Sequence, residues 1–211
     1  MVYSTKQIVK DVKVCLDRNM DSEQLFIDND IDTLSLEDII KSKIVEAVRV
    51  VHTAAPYFLL EQGHTFGDNI YWMELESGYT LLPHDFMRLV SFQMSDWDKP
   101  VYQAISPIDA EYSKQRQKIK ALRGVAQRPV CAIVTREEGL ALEFYSCKSE
   151  DAYVVNAQYI PYPRIDENGG VDISERCYTA VLYTISALTL TALSEIDKSN
   201  VFTELAKQTL Q

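Results

Sequence analysis

The chain has 211 residues, 46% hydrophobic and 25% charged, which is ordinary for a globular protein and long enough to bury a sizeable core. Its 21 Lys and Arg against 31 Asp and Glu give a net charge of −10, which argues against a protein that grips nucleic-acid phosphates. Four scattered cysteines, Cys15, Cys131, Cys147 and Cys177, contain no C-x-x-C pair, so zinc and dithiol redox motifs are unsupported.

The opening Met1-Val2-Tyr3-Ser4-Thr5-Lys6 lacks the features of a secretory leader, so a reducing cytoplasm and free, mostly buried thiols are expected. Ser4-x-x-Gln7 is a capping-box pattern, and Ile8, Val12 and Cys15-Leu16 come after it at helical spacing, which predicts a helix over about Thr5 to Arg18. Asp21 to Asp32 is acidic, with a short apolar patch at Leu25-Phe26-Ile27, and reads as a loop or one helical turn. Ser35 caps a second helix, with Glu37 and Asp38 where the macrodipole favours acids and Ile40, Ile44, Ala47, Val48 and Val51 on its apolar face. Pro56 ends it, and Tyr57 to Leu60 adds one turn stopped by Gly63.

Strands come next. Ile70 to Leu75 and Tyr79 to Leu82 predict a hairpin around Glu76-Ser77-Gly78. Phe86 to Met94 alternates, with Phe86, Arg88, Val90, Phe92 and Met94 on one side and Met87, Leu89, Ser91 and Gln93 on the other. Ser106-Pro107 starts a helix, and Tyr112 to Arg123 carries an island of positive charge in an acidic chain. A second hairpin turns at Arg136-Glu137-Glu138-Gly139, and Ala152 to Ile160 is a further strand ended by Pro161 and Pro163. Ser174 caps a long helix bearing Cys177, Val181, Ile185, Leu188, Ala192 and Ile196; Asp197 to Asn200 breaks it, and Val201 to Leu210 closes the chain as an amphipathic helix. The span Cys177 to Ser194 has no charge, but its many Thr and Ser predict a buried helix and not a membrane span.

Helices, then strands, then helices predict an α+β fold. The expected arrangement is a helical bundle from both chain ends, residues 1–66 plus 172–211, with an inserted antiparallel β module over residues 67–171.

Motifs for chemistry are few. No Gly-rich phosphate loop, G-x-S-x-G elbow or H-E-x-x-H is present. Asp28-x-Asp30-x-Asp32 begins like a calcium loop, but Thr33 stands where Gly is needed and Ile39 where a bidentate Glu is needed, so it reads as an acidic loop. His52, His64 and His84 could join Cys177 or Asp85 in a nucleophilic site, although their spacing suggests no orienting third group. No cofactor or metal is expected. Aromatics crowd the β part, and some of them are expected to face a partner. The basic residues Lys114, Arg116, Lys118, Lys120 and Arg123, with the hairpin tips Glu76-Ser77-Gly78 and Glu137-Glu138-Gly139, are the candidate interface residues. For the basic stretch a merely solvated helix or loop is an equal reading.

Leu82-Pro83-His84-Asp85-Phe86-Met87-Arg88-Leu89-Val90-Ser91 resembles the "LPxDFLRLVSV" segment of head–tail connector (adaptor, or neck ring) proteins of tailed bacteriophages. The element order is similar too, through the Trp97 and Pro100-Val101 turn, the Arg128-Pro129-Val130 start and Tyr159-Ile160-Pro161 end of later strands, and the helix from Tyr178 to Leu193. Ile44 to Arg49 and Ala54-Ala55-Pro56 resemble the versions in large podophages of the crAss-like group. The likeness covers most of the chain loosely and residues 80–165 best; His84 stands where family members vary. The resemblance implies a virion structural protein and not an enzyme. It implies a homo-oligomeric ring, typically twelve-fold, that joins the portal protein to the next neck or tail ring, with DNA passing through the channel without specific binding. It implies location in the virion neck, and in the host cytoplasm during assembly, away from membranes. The competing readings are a small cytoplasmic hydrolase or regulator using Cys177 or a histidine, and another virion component such as a tail-completion protein.

Overall fold

A computed structural model of the chain describes residues 1–16, 35–60, 63–145 and 147–211. The acidic Asp28-x-Asp30-x-Asp32 stretch, the Leu25-Phe26-Ile27 patch and the expected helix end at Arg18 lie outside the described residues, as does the side chain of Lys120. The chain divides into two compact units, Met1–Glu61 with Pro163–Gln211, and Gln62–Tyr162.

In the unit built from the chain ends, β1 (Val2–Ser4) runs into α1 (Thr5–Cys15). Ser4 Oγ accepts the Gln7 N–H at 3.2 Å, and Ile8, Val9 and Val12 are buried. α2 (Leu36–Ala54) starts at Ser35, whose Oγ accepts the Asp38 N–H at 3.2 Å and donates to the Asp38 carboxylate at 2.6 Å. That hydroxyl holds the Asp38 carboxyl below its usual range. Leu36, Ile40, Ile44, Ala47, Val48 and Val51 are buried on one face at the spacing of an amphipathic helix. Pro56 ends α2 and a 3-10 turn covers Tyr57–Leu59.

Toward the C-terminus, a 3-10 turn over Glu175–Cys177 leads into α4 (Tyr178–Ala192), which packs against α1, α2 and α5 (Ile196–Gln208). Burial against three helices explains why α4 carries no charge. Its hydroxyls bond back into the helix, Thr184 to Ala180 O at 2.8 Å and Ser186 to Leu182 O at 2.9 Å. Ser199 of α5 donates to Ala187 O at 2.9 Å and meets Thr191 Oγ1 at 2.7 Å, so small polar side chains let α4 and α5 approach closely. The break between the helices lies at Ser194, with φ of +62°, and not at Asp197 to Asn200, which are inside α5. Ser174 donates to Leu59 O at 2.6 Å and makes no side-chain cap on the helix.

The expected α+β arrangement, a helical bundle made by both chain ends around one inserted antiparallel β module, is overturned. The described residues are mixed, with five α-helices and three antiparallel sheets, and strands are not confined to one inserted module. The chain ends supply a sheet of their own, in which β1 pairs with β9 (Gly170–Asp172) through Tyr3 opposite Val171. Three-residue strands are too short to display period-2 patterning, which is why the sequence hides them. β9 also falls with the chain ends, since the strand-rich unit stops at Tyr162.

The middle unit has two sheets. One runs β2-β8-β5, with β2 (His64–Thr65), β8 (Val154–Pro161) and β5 (Phe86–Met94). The other runs β3-β4-β7-β6, with β3 (Tyr71–Met73), β4 (Ser77–Leu81), β7 (Gly139–Phe144) and β6 (Cys131–Arg136). The strict alternation expected along β5 fails. Its register against β8 shifts between Phe86 and Arg88, between Leu89 and Ser91, and between Gln93 and Met94. The first two put an extra residue into β5 and reverse the facing of what comes after, while the third puts the extra residue, Val155, into β8, so Phe86, Leu89, Phe92 and Met94 all enter one core. Phe92 is the hub of that core: its ring centroid lies 5.8 Å from Phe144, 6.0 Å from Phe66 and 5.7 Å from Trp97. Burying such rings removes large apolar areas from water and ties β5 of one sheet to β7 of the other.

Candidate interaction surface

The four-stranded sheet has two dissimilar faces. Trp72, Phe144, Leu142 and Cys131 face the aromatic core. The opposite face carries Ala132, Val134, Ala141 and Tyr145, with Tyr79, Leu81, Tyr112, Ile105 and Val130 packed on it. Tyr79, Glu143 and Ala132 lie in one cross-strand row of this second face.

A carboxylate sits on that apolar face. The Glu143 side chain is 3% exposed, yet it is well satisfied. Arg136 donates to Oε1 at 2.6 Å, Tyr112 to Oε2 at 3.3 Å, and the Tyr145 hydroxyl donates to Oε2 as well. Burial, and then the hydroxyl bond to Glu143, push the Tyr145 phenol above its ordinary value. The Arg136 guanidinium also stacks 3.8 Å over the Tyr79 ring centroid, and Tyr79 stacks on Tyr71 at 4.9 Å. A buried charge is tolerated when it is paired and hydrogen-bonded in this way.

This network anchors the basic stretch. The regular parts of that stretch are α3 (Ala110–Gln115) and the 3-10 turn Lys120–Leu122. Tyr112 reaches Glu143, and Arg116 donates to the Tyr112 hydroxyl at 2.8 Å. Gln115 accepts the Gly124 N–H at 2.8 Å. Arg123 donates to Leu75 O at 2.7 Å, in the turn between β3 and β4. Two of the expected contact cations, Arg116 and Arg123, are therefore engaged inside the fold. Lys114 and Lys118 are exposed. A cleft of about 490 Å³ lies beside them, lined by Lys114, Arg123, Arg128, Leu122, Val125 and Val130 among others.

The expected hairpin tips fare differently. Glu137 and Glu138 are exposed at the β6–β7 turn, and nothing stands within 4 Å of where a Gly139 side chain would project. At the other hairpin the turn is Glu74-Leu75-Glu76, with left-handed φ of +65° at Leu75 and +56° at Glu76. Ser77 and Gly78 are buried in β4, and a Cβ on Gly78 would stand 2.6 Å from Phe144 Cζ. They are strand residues and do not form a surface tip.

Cys177 and His52, of the competing nucleophile reading, are engaged elsewhere, and the other two histidines lie at the surface. Cys177 is 0% exposed and its thiol donates to Leu59 O at 3.7 Å. His52 is buried, and its Nε2 accepts the Ser174 N–H at 3.2 Å. His64 is exposed on β2 with its ring 5.8 Å from that of Tyr159, and His84 is exposed beside Pro83. Among the described residues no group of three or more His, Cys, Asp or Glu is gathered to hold a metal ion. No described helix is long and apolar enough to cross a membrane.

Sequence reasoning missed Glu143, Arg136, Tyr112 and Tyr145. The available signal was a single carboxylate inside the apolar run Leu140-Ala141-Leu142-Glu143-Phe144-Tyr145, across a hairpin from an arginine. No family model matches the chain, and no curated protein matches it.

Proposed function

We propose that the chain is a virion structural protein, a subunit of a head–tail connector ring that joins the portal to the next neck or tail ring of a tailed phage. The observation that carries the reading is the resemblance of Leu82 to Ser91 to the connector segment, together with where that stretch lies. It leads into and forms the first part of β5, which takes Phe86, Leu89 and Phe92 into the aromatic core. The likeness thus falls on the framework of the strand-rich unit, where a shared fold leaves its trace.

Two further features support the reading. The residues best suited to catalysis are engaged in architecture: Cys177 is sealed from solvent, and Glu143 is fully hydrogen-bonded. The net charge of −10 suits a ring whose channel lets DNA slide through without being held. In this reading the chain has no catalytic residues and no cofactor, and it works in the virion neck after assembly in the host cytoplasm. Its partners are copies of itself, in a ring of about twelve by analogy with the connectors it resembles, with the portal above and another ring below.

The test is to mix the purified chain with assembled portal rings from the same phage and image the product by electron microscopy. An added ring of density on one face of the portal is expected. Undecorated portals, together with turnover by the chain alone that Cys177→Ser abolishes, would overturn the reading in favour of the hydrolase.

A further inference from the structure

The strand-rich unit carries two charged surfaces of opposite sign at opposite ends of one strand. At the end where β6 begins is the cleft lined by Lys114, Arg123 and Arg128, with Leu122, Val125 and Val130 as its apolar part and Glu111 as its one carboxylate. At the end where β6 finishes is the turn bearing Glu137 and Glu138, with Leu140 exposed just beyond. Among the described residues no cation pairs with Glu137 or Glu138, and no carboxylate pairs with Lys114, Arg123 or Arg128. Arg123 has a buried Nε without a hydrogen-bond partner in addition to its bond to Leu75 O.

The two surfaces cannot meet within one molecule. β6 is a regular six-residue strand paired along its whole length with β7, so it separates them by roughly 20 Å at about 3.3 Å per residue. We infer that the Glu137-Glu138 turn of one copy enters the cleft of Lys114, Arg123 and Arg128 on the next copy. The match is one of charge and of shape. Two carboxylates on a narrow two-residue turn meet the exposed Lys114 and Arg128 at a cleft to which the anchored Arg123 adds its charge, and Leu140 meets Leu122 and Val125. A contact between two different patches of identical chains is head-to-tail, and such contacts close into rings or run on as filaments. Electrostatic matching of this kind sets orientation and encounter rate more than total affinity. The tip and cleft therefore fix the order of subunits, while other surfaces add area.

This inference rests on the ring reading for its closure, and the pairing itself is tested apart from it. Two charge-reversed chains are made, Glu137→Lys with Glu138→Lys, and Lys114→Glu with Arg128→Glu. All four side chains are exposed, so circular dichroism is expected to be unchanged. Sedimentation velocity over a concentration series at low salt is the measurement. The native chain is expected to self-associate, each reversed chain alone to associate at least tenfold more weakly, and an equimolar mixture to recover association because every tip then faces an opposite charge. Association of the reversed chains equal to that of the native chain would overturn the contact, as would a mixture that does not recover. A native chain that stays monomeric throughout yet adds a ring to the portal would also overturn it, while leaving the connector reading standing.

Discussion

Arg136 donates to Glu143 Oε1 at 2.6 Å across the β6–β7 pair while its guanidinium carbon lies 3.8 Å from the Tyr79 ring centroid. One side chain of β6 thus neutralises a buried acid on β7 and covers an aromatic of β4, two strands away. Because Tyr112 shares the same carboxylate, the pair also seats the basic stretch on its sheet.

Removing Arg136 leaves the Glu143 charge buried with only two hydroxyl partners. Breaking a buried pair from one side costs about 3–5 kcal/mol, and the 25% exposure of Arg136 lowers that to about 2–4 kcal/mol for Arg136→Ala. Urea unfolding monitored by fluorescence measures it. A loss below about 0.5 kcal/mol would show that the pair is not a structural anchor.

Gly78 has no room for a side chain. A valine there drives into Phe144 and the Tyr71 carbonyl, so Gly78→Val is expected to destabilise by about 1–3 kcal/mol or more, as overpacking does. Gly139→Val has open space around it, but it must adopt a φ of +135°. Its loss is expected to come from backbone strain, with no disturbance of the core aromatics in near-ultraviolet circular dichroism. Equal near-ultraviolet changes in both variants would contradict this assignment.

The starts of α1 and α2 were legible because caps and spacing are local: Ser4 and Ser35 cap them, and the buried residues of α2 recur every three or four positions, whereas Ser174 makes no cap and the last helix starts at Ile196 instead of Val201. The β6–β7 turn was legible for the same reason. The other hairpin misled. Gly78 drew the turn toward itself, while the chain turns through left-handed Leu75 and Glu76 and keeps the glycine for close packing under Phe144. β5 misled because irregular register cancels a period that sequence displays as regular. At the candidate surface the basic island was visible. Which cations stay free was not, because that depends on Leu75 and Glu143 approaching from elsewhere in the chain, the latter fixing the Tyr112 hydroxyl that Arg116 meets.

Alkaline pH is expected to weaken the fold. Burial, and then the Asp96 charge, push the Cys147 thiol up to about 12, and burial raises Cys131 well above its ordinary value. Tyr145 and Tyr178 are raised as well, each chiefly by burial. A raised group keeps its proton in the folded chain where the unfolded chain releases it, so its contribution is whole below about pH 8.5 and declines as pH rises toward the folded value. The urea midpoint is expected to fall steadily from about pH 8.5 to about pH 11. A midpoint that is flat or rising across that range contradicts the assignment.

Ser35→Ala removes the bond from the Asp38 N–H and frees the Asp38 carboxylate from its hydroxyl. A loss of about 1 kcal/mol is expected in thermal or urea unfolding. Ser35→Asp is expected to keep most of the native stability, because a carboxylate caps as well as a hydroxyl. Equal losses from both variants would mean that the serine acts by some route other than capping.

The connector reading is tested most directly by counting this chain in purified tailed particles made by the genome that encodes it. Quantitative mass spectrometry against the portal protein is the measurement. The chain is expected at about one copy per portal subunit, as two stacked rings of equal symmetry require. Absence of the chain from intact particles that contain the portal would contradict the connector reading.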